Sequence, residues 1–583
     1  MKITRRNMLR TTIGVSVAAM SSPSAKSEPI QGDVYSALVS ANDARVPALI
    51  GSASSADPGR GGIRRIAGDI QSLMAAFCAP ESRHYKSQAL IAPMENATRV
   101  ILKAQYPDGT IDSGNLQSPP DTGFVVEVLS TTLAVAKRND SPLLKPVSDN
   151  IQKFVLAACE ALTSGGVHTP NHRWVVCNAL ARTNAILPNP RYVRRIEDWL
   201  GEGIDIDSDG SFCERSTGIY ARVSTNGLLG VARLLNRPAL LEPVRRNLEM
   251  NIYYTHPDGE IETVGSRRQD QGMISTVAGY YTEYRYLAIK DGNRRFAAMA
   301  RMIEGMGVEK GRLTSSLIDF LENPVLKENM PESEPLPADY AKVFPVTALA
   351  RIRRGSVSAT VYGGSDWPLG VASGLASNPT FFNFRKGQAI LESVRMGPQF
   401  FSKGFFRSTG LKADGNVYEL RQRLEVPYYQ PLAQADRNPN GQYPLTQAED
   451  RYWSKLNFPK RRMSEIKTLD QKVTVTEQSG AFELDFAVLG PEGVPVTIEL
   501  SFRKGGKLEG VRAAQGEAYF IDAPVARYRV GNDVIEFGPG KSLHERFSME
   551  GASYQAHRGN LKTGGDCVYI TAYTPFREKL TIR

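Results

Sequence analysis

Hydrophobic positions in the first half of the chain recur with the period of an α-helix. In LLKPVSDNIQKFVLAACEAL (143–162) the apolar side chains return every three or four residues, which is the pattern of a helix with one buried face. Loops rich in Gly, Pro and Asp separate similar stripes, which predict helices around 88–104, 122–137, 171–187, 217–235, 239–252 and 272–288. Paired helices at this spacing favour helical hairpins that close into a ring, with the helix at 171–187 as an inner member.

The pattern changes after residue 320. The segment ENPVLKENMPESEPLPADY (322–340) is rich in Pro and Glu, which is typical of a linker. Beyond it apolar and polar residues alternate, first in SVSATVYGG (356–364) and later through 472–490 and 494–506, as in β-strands with one buried face. We therefore predict a multidomain fold: an N-terminal α/α toroid, an incomplete barrel of helical hairpins, at 28–325, a linker at 326–345 and a large antiparallel β-sandwich at 346–583.

The N-terminal segment 1–27 has the pattern of an export signal. Two adjacent arginines in TRRNML precede a short apolar run, Thr11 to Met20, which is too short to cross a bilayer of about 30 Å. The segment resembles a twin-arginine signal. We expect cleavage near Ala25 or Ser27, export by the twin-arginine machinery, and a periplasmic or secreted mature chain without membrane insertion.

The composition is that of an ordinary globular protein, with 583 residues, 41% hydrophobic and 23% charged. The net charge of +10 falls to about +5 without the signal. No basic run carries interleaved aromatic residues, so we do not expect nucleic-acid binding. Five scattered cysteines without a CxxC pair argue against a disulfide framework and a zinc knuckle. We expect no cofactor. The sequence leaves a structural divalent metal open, but the spacing of the six histidines identifies no ligands for it.

The first polar cluster lies at the start of the predicted inner helix, in PNHRWVVCNALA (170–181). Thr169 suits the N-cap and Pro170 the first helical position, which places Asn171 and His172 in the first turn. Free N–H groups and the helix macrodipole there favour an anion and keep a histidine neutral. Alternatively, these two side chains only satisfy local backbone groups. Two candidates for binding a substrate follow directly, Arg173 and Trp174.

The second cluster is DGSFCERSTGIYARVSTNGLLGVARLL (209–235). It predicts a tight turn followed by a helix, for which two residues are suitable caps, Ser216 and Thr217. Tyr220 then lies in the first helical turn, close after Glu214 and Arg215. A phenol beside a cation gives up its proton more readily, so Tyr220 is a candidate base and then acid. The alternative is a core tyrosine with a surface Glu–Arg pair.

The third cluster is PDGEIETVGSRRQDQG (257–272). Its adjacent Arg267 and Arg268 can grip a carboxylate through paired hydrogen bonds, although such a segment is more often a solvated loop. An aromatic residue that follows, Tyr280 or Tyr281, can stack on a substrate ring or belong to the core.

The fourth cluster is DGTIDSGNLQSPPDTGF (108–124), in which Asn115 and Asp121 precede a helix start. We predict a cleft-rim loop that binds substrate, whereas the alternative role of Asp121 is a plain helix N-cap. All four clusters lie at loop-to-helix junctions of the helical half. Because alternate junctions of a toroid of hairpins gather at the same mouth, we expect the clusters to converge there.

These residues resemble those of polysaccharide lyases built from a toroid and a sandwich. DGSF followed by GIYARVSTNGLLGVARLL is similar to the segment of chondroitin and hyaluronate lyases that carries the catalytic tyrosine, and Tyr220 matches it. The segment GSRR is similar to their arginine-bearing stretch. NHRW resembles the Asn-His pair of the heparinase II/III and alginate lyases, which places Asn171 and His172 at the neutraliser and base positions. The likeness covers residues 110–290.

One position departs from the pattern. In the chondroitin and hyaluronate lyases a histidine closes the DGS segment, whereas here Arg215 follows Glu214. The resemblance therefore leaves two candidate bases, Tyr220 and His172.

The resemblance implies cleavage of a uronic-acid glycan by β-elimination, which leaves a 4,5-unsaturated uronate and needs neither water nor a redox cofactor. Donors must neutralise the uronate carboxylate and stabilise an enolate-like intermediate, a role for Asn171 with Arg267 or Arg268. A base takes the C5 proton and an acid protonates the departing oxygen. Tyr220 can do both if the departing groups are syn; otherwise His172 takes the proton and Tyr220 returns one.

The expected partner is an acidic polysaccharide or oligosaccharide. A glucuronate linkage, such as rhamnose–glucuronate, is favoured because no dense Lys/Arg patch for sulfate groups is present. Glu214 is a further catalytic candidate of the lyase. Two other functions remain open: a toroidal glycoside hydrolase for uronides, with Asp121, Asp209 and Glu214 as acid and base candidates, and a periplasmic glycan-binding protein without turnover.

Overall fold

The computed structural model describes most of the chain after the predicted export signal. The described residues are 33–59, 62–308, 313–364, 378–448, 452–514, 518–546 and 564–583. The predicted signal at 1–27 lies outside the described residues. Among the described helices, none is both long and apolar enough to cross a membrane.

The N-terminal half is helical, as its hydrophobic period predicts. Its α-helices are α1 (Val34–Ser54), α2 (Gly62–Cys78), α3 (Ile91–Ala104), α4 (Pro119–Asn139), α5 (Lys145–Ser164), α6 (Pro170–Ile186), α7 (Pro190–Leu200), α8 (Tyr220–Leu234), α9 (Leu241–Tyr254), α10 (Tyr281–Asp291), α11 (Arg294–Gly305) and α12 (Leu317–Glu322). Several begin with proline in the first turn, where the missing N–H is not needed.

The helices alternate between an inner and an outer ring. Helices α2, α4, α6, α8 and α10 form the inner ring, in which each packs against the next, and the odd-numbered helices from α1 to α11 cover them. Contacts between successive helix starts show that the inner helices point the same way: Asn171 at the start of α6 contacts Glu214 before α8, and Tyr280 before α10 contacts Thr217. Their N-terminal ends therefore share one mouth.

The opposite mouth is closed by α12. This short helix packs against α1, α2 and α4, and its Glu322 pairs with Arg233 at the end of α8 and receives Arg138 at the end of α4. Cations at helix C-termini complement the macrodipole. These two ion pairs therefore attach the C-terminal ends of α4 and α8 to α12.

The C-terminal half is built from antiparallel sheets. The strands are β1 (Asp339–Phe344), β2 (Leu349–Arg354), β3 (Val357–Tyr362), β4 (Phe382–Lys386), β5 (Ala389–Pro398), β6 (Leu411–Asp414), β7 (Val417–Tyr429), β8 (Thr446–Ala448), β9 (Tyr452–Ser454), β10 (Met463–Gln478), β11 (Ala481–Leu489), β12 (Pro495–Phe502), β13 (Lys507–Glu509), β14 (Val511–Ala513), β15 (Ala518–Ile521), β16 (Ala526–Val530), β17 (Asp533–Gly538), β18 (Asp566–Tyr573) and β19 (Phe576–Ile582).

Two large sheets face each other across a hydrophobic core that is separate from the core of the helical half. Among the described strands, one sheet has the order β1-β2-β3-β4-β5-β12-β18-β15-β14, the other β13-β16-β17-β19-β11-β10-β7-β6, and β8-β9 is a separate hairpin. The pairing of β15 with β18 is parallel. In residues 469–477 of β10 and throughout most of β11 every second residue is buried between the sheets, which is the alternation seen in the sequence. The predicted toroid followed by a sandwich is confirmed.

The structure corrects two sequence-based boundaries. The predicted linker at 326–345 includes β1, because DYAKVF alternates and pairs in register with β2, so only its Pro- and Glu-rich first part is irregular. The helix predicted at 272–288 begins at Tyr281. Val277–Tyr280 directly before it form a 3-10 helix, and Thr276 is extended, because Glu260 pairs with Thr276 and the Ile261 N–H donates to the Ser275 carbonyl.

The two halves meet through a buried polar network. The Glu262 carboxylate, on the loop between α9 and α10, accepts hydrogen bonds from Thr360 of β3 and from Asn383 of β4 at 2.8 Å. Arg351 of β2 and His256 approach the same oxygen at 3.6 and 3.7 Å. Burial and the nearby arginines lower the pKa of His256, and the cationic and hydrogen-bonding partners lower that of Glu262 against the effect of burial. The sandwich is thus attached directly to the loop that carries the arginine cluster.

Candidate active site

The start of α6 holds a carboxylate. Thr169 is the N-cap residue, and its hydroxyl accepts a hydrogen bond from Asn171 Nδ2 at 3.2 Å. Glu214 Oε2 accepts the Asn171 backbone N–H at 3.2 Å and Asn171 Nδ2 at 2.7 Å. The anion expected at this helix start is therefore Glu214, from the second cluster of the sequence.

Glu214 joins the first cluster to the third. Its other oxygen, Oε1, accepts a hydrogen bond from Arg268 Nη1. An arginine has five N–H donors, more than this contact uses. Asn171 differs from expectation, because both amide hydrogens are engaged by Thr169 and Glu214. Its remaining polar atom, Oδ1, is an acceptor and faces no hydrogen-bond partner in the described part of the chain.

Tyr220 lies against Arg268 at the same mouth. The guanidinium carbon of Arg268 is 4.1 Å from the centre of the Tyr220 ring, a distance typical of a cation–π contact. The phenol oxygen accepts a hydrogen bond from Gln269 Nε2. Tyr220 is the first residue of α8, and its N–H donates to Ser216 Oγ at 3.0 Å. The N-cap residue of α8 is Ile219, so the predicted cap at Ser216 or Thr217 is wrong.

His172 is neutral at this helix start. Only 7% of the residue is exposed, and its ring packs edge-on against His168, with 4.7 Å between the ring centres. Burial is the main cause that lowers its pKa to about 4, and the charges of His168, Arg268 and Arg64 lower it further while Asp121 opposes them. Nδ1 of His172 is buried without a hydrogen-bond partner among the described residues. A neutral imidazole with an unengaged nitrogen is suited to accept a proton.

The fourth cluster reaches the same mouth through Arg64 of α2. Asp121 lies in the first turn of α4 and forms an ion pair with Arg64, and its other oxygen accepts a hydrogen bond from Asn115 Nδ2 at 2.6 Å. Arg64 also lies 4.3 Å above the ring of Phe124, which packs against His172. Asp121 is therefore part of the cleft wall, and the N-cap of α4 is Ser118.

Several predicted substrate-binding residues lie elsewhere. Trp174 is fully buried in the helical core, and Tyr280 is buried with its hydroxyl donating to the Thr217 carbonyl at 2.7 Å, so neither ring has a face on which a sugar can stack. Tyr281 is equally buried. Arg173 points away from the cleft, because its guanidinium pairs with Asp205 at 2.7 Å and with Glu202. The prediction that these side chains bind substrate is wrong. Their spacing in the sequence indicated residues near the cleft, but it does not determine whether a side chain points into the cleft or into the core.

Two more candidates support the backbone of the site. Arg267 donates from its backbone N–H to the Glu214 carbonyl at 3.0 Å and from Nη1 to the Cys213 carbonyl at 2.8 Å. Arg215 has a positive φ of 51°, and its Nη2 donates to the Val346 carbonyl at 2.9 Å. Asp209, a candidate of the hydrolase alternative, accepts the Thr347 N–H at 2.8 Å. Arg215 and Asp209 thus tie the cleft segment to the sandwich.

Three residues at the site escaped the sequence analysis: Arg64, His168 and Gln269. Gln269 stands within the quoted arginine cluster, where its polarity was a usable signal. Arg64 lies 57 residues from its partner Asp121, and no local pattern marks it. Among the described residues no group of three or more His, Cys, Asp or Glu side chains is arranged to hold a metal ion.

The convergence of the clusters is what the geometry adds to the sequence. An imidazole, a phenol, an amide, two arginines and two carboxylates from five segments surround one mouth of the toroid. Such a set can hold an anion, remove a proton and return one.

Comparisons with known proteins place the fold. No protein-family model and no curated protein sequence matches the chain. A solved structure of chondroitin AC lyase from Streptomyces coelicolor A3 in complex with chondroitin sulphate is similar over 94% of this chain and 79% of that chain, with a TM-score of 0.56 and 14% identity. Heparinase III is similar over 88% and 75%, with a TM-score of 0.52 and 12% identity.

A xanthan lyase from Paenibacillus is similar over 95% of this chain but 57% of its own, with a TM-score of 0.53 and 10% identity. The resemblance derived from the motifs is therefore confirmed at the level of architecture: this chain has the fold of the toroid-plus-sandwich polysaccharide lyases.

Proposed function

We propose that the protein is a polysaccharide lyase that cleaves a uronic-acid glycan by β-elimination at the mouth formed by the inner helix starts. One observation carries the proposal: a neutral imidazole and a phenol lie beside an arginine that is already bound to a carboxylate. The fold shared with chondroitin AC lyase, heparinase III and xanthan lyase supports it.

The cations at the mouth are suited to a uronate. Arg268 keeps N–H donors beyond its contact with Glu214, and its side chain is 20% exposed. A substrate carboxylate that takes these donors has its charge neutralised, which makes the neighbouring C5 proton more acidic and stabilises the enolate-like intermediate. Glu214 holds Asn171 and Arg268 on its two oxygens, so it fixes the donor geometry.

Two proton paths fit the geometry. In the first, Tyr220 starts as the phenolate beside Arg268, takes the C5 proton to become the phenol, and then gives this proton to the departing 4-oxygen. In the second, the neutral imidazole of His172 takes the proton and Tyr220 donates its own to the departing oxygen. Both paths end in a 4,5-unsaturated uronate and a new chain end, and neither consumes water.

The test is a panel of uronic polysaccharides incubated with the mature protein, with the ultraviolet absorbance of the unsaturated product as readout. We expect activity on a glucuronate-containing polymer, because the described cleft has single arginines in ion pairs rather than a dense basic patch. Tyr220→Phe should lower kcat by about 10³-fold, a typical loss for a missing general acid or base.

The matched control is Tyr253→Phe, a half-buried tyrosine that packs against Tyr340 away from the cleft, and it should keep full activity. His172→Gln separates the two paths: a loss as large as that of Tyr220→Phe assigns the base to His172, and a much smaller one assigns it to Tyr220. Full activity in Tyr220→Phe would remove the tyrosine from both paths.

The alternatives give different results in the same assay. A hydrolase releases reducing ends without unsaturated product, and two of the carboxylates that it would use, Asp121 and Glu214, are each paired with an arginine. A glycan-binding protein releases neither product. We also propose twin-arginine export to the periplasm or the medium, action without a redox cofactor, and no role for a metal in the elimination itself.

A further inference from the structure

Asp270 lies between the segment that leads into Tyr220 and the segment that carries Arg268. Its Oδ1 accepts hydrogen bonds from two serine hydroxyls, Ser216 at 2.9 Å and Ser266 at 2.5 Å. Each serine comes from one of the two segments, so a single carboxylate oxygen joins them.

Each of the two serine hydroxyls also accepts a hydrogen bond from the backbone N–H of a site residue. The Tyr220 N–H donates to Ser216 Oγ at 3.0 Å, and the Arg268 N–H donates to Ser266 Oγ at 3.1 Å. The order Tyr220 N–H, Ser216, Asp270, Ser266, Arg268 N–H is therefore symmetric about the carboxylate. Because each hydroxyl gives its proton to Asp270, its oxygen is free to accept the N–H.

The second oxygen of Asp270 fixes the tyrosine segment more closely. Oδ2 accepts the Gly218 N–H at 3.0 Å. A Cβ at Gly218 would lie 3.0 Å from this same oxygen and from Ser275 Cβ, so a larger residue at this position would press on the carboxylate. All three donors to the carboxylate thus come from the two segments that meet at the cleft.

Asp270 itself does not reach the cleft. Only 1% of the residue is exposed, and burial raises the pKa of its carboxyl against the effect of the three hydrogen bonds. We propose that Asp270 is a positioning residue, which sets the distance between the Tyr220 ring and the Arg268 guanidinium. The inference rests on the lyase function proposed for this cleft.

The variant Asp270→Asn tests the proposal, because it keeps the shape but replaces one acceptor oxygen by a donor that must face an N–H or two hydroxyls. We expect kcat to fall about 10²-fold, as for a misplacement of about 1 Å at a reacting group, while KM stays within about threefold. A crystal structure of the variant should show the Arg268-to-ring distance increased from 4.1 Å to beyond about 6 Å, the limit of a cation–π contact.

Asp43→Asn is the matched control. Asp43 is also buried and also accepts a serine hydroxyl and a backbone N–H, from Ser82 at 2.6 Å and Arg83 at 2.9 Å, but on the outer helix α1. We expect it to lose stability as Asp270→Asn does and to retain its turnover. Equal losses of kcat in both variants would reduce Asp270 to a structural role.

The serine variants keep the test decisive if Asp270→Asn folds poorly. Ser216→Ala and Ser266→Ala each remove one of the two serine hydrogen bonds to Asp270, so each should lower kcat. Adding either substitution to Asp270→Asn should lower kcat little further, because the three residues act as a unit. The proposal would be contradicted if kcat of a double variant fell by the product of the two single-variant losses. An unchanged distance between the Tyr220 ring and the Arg268 guanidinium in the Asp270→Asn crystals would also contradict it. If the wild-type protein cleaves no uronic glycan, the proposed function fails, whereas the distance in the variant crystals still decides the role of Asp270.

Discussion

His172 shows how the surroundings of one side chain set its chemistry. Its pKa is lowered from 6.5 to about 4, mainly by burial, so the ring is neutral in the folded protein at every pH above about 5. The same burial leaves Nδ1 without a partner among the described residues. A residue in this state is unprotonated at neutral pH, and it also couples folding to pH.

We predict that His172 destabilises the folded protein in acid. The unfolded chain binds a proton near pH 6.5 but the folded one only near pH 4, so the contribution is fully present above the unfolded pKa and is lost as pH falls between the two values. The loss is at most about 3 kcal/mol. Denaturant unfolding from pH 7 to 4 should show it in the wild type, and His172→Gln should flatten this part of the curve. A parallel curve for the variant would refute the assignment.

The sequence predicted the site residues that are marked locally. Asn171 and His172 stand in the first turn of a helix whose cap, Thr169, is readable from the sequence. Tyr220 stands at the start of a helix of which only the apolar face is readable, because its N-cap is Ile219. Glu214 and Arg268 stand in adjacent polar segments. What the sequence could not give is direction: Trp174 is beside His172 in sequence, yet it belongs to the core because successive helical residues point about 100° apart.

At the scale of elements, the inner helices carry more buried charge than their packing requires. Glu283 of α10 is 2% exposed, with Asn226 of α8 as a hydrogen-bond partner and Arg222 nearby. Burial raises its pKa from 4.5 to about 7, against the smaller effects of these partners. The contact between α8 and α10 therefore depends on pH near neutrality.

We predict that Glu283 lowers stability toward alkaline pH. The folded protein holds this proton up to about pH 7 and the unfolded chain only to about 4.5, so the stabilising contribution is present below the unfolded pKa and is lost as pH rises through the folded one. The expected loss is at most about 3 kcal/mol. Glu283→Gln should remove this slope in unfolding curves measured between pH 4.5 and 8. The exposed Glu242→Gln on α9 should keep the wild-type slope.

A helix boundary could be predicted where a residue at the boundary marks it, as a proline does at the first helical position. Pro170 starts α6 as the sequence indicates, whereas α4 begins at Pro119, earlier than the predicted 122. The segment 272–276 has helical spacing but forms no helix, because its backbone pairs with residues 260–261. Such pairing depends on a partner strand that the local pattern does not contain.

At the scale of the whole molecule, the sandwich supports the cleft through the Glu262 network. Arg351 is fully buried; its Nε donates to the Tyr253 carbonyl at 3.1 Å, and it approaches Glu262 at 3.6 Å. The carbonyl of Glu262 in turn accepts the Thr217 hydroxyl at 2.6 Å. The buried arginine of one half is therefore two contacts from the segment that holds Tyr220.

We predict that Arg351→Met destabilises the protein by about 3–5 kcal/mol, because it leaves the buried charge of Glu262 without its cation. Urea unfolding measures this change, and the rate of product formation should fall with it. Arg353→Met lies two residues along the same strand, where its guanidinium donates to the Gly355 carbonyl in an exposed position, and should cost less than about 1 kcal/mol. Equal costs for the two variants would exclude the network as a support.

The architecture was predictable because each half has one period throughout, 3.6 residues and then two. The joint between the halves was not, because Glu262, Arg351 and Asn383 are far apart in the sequence and ordinary in their local settings.

The shared direction of the inner helices has a consequence for the end of the reaction. Their N-terminal ends present positive partial charges to one place, where Arg64 and Arg268 add full ones. A cleaved glycan still carries its carboxylate, so the attraction that captures the polymer also delays its departure. Added electrolyte weakens both effects: it slows capture but speeds release. The enzyme is therefore expected to work fastest at an intermediate ionic strength rather than in dilute buffer.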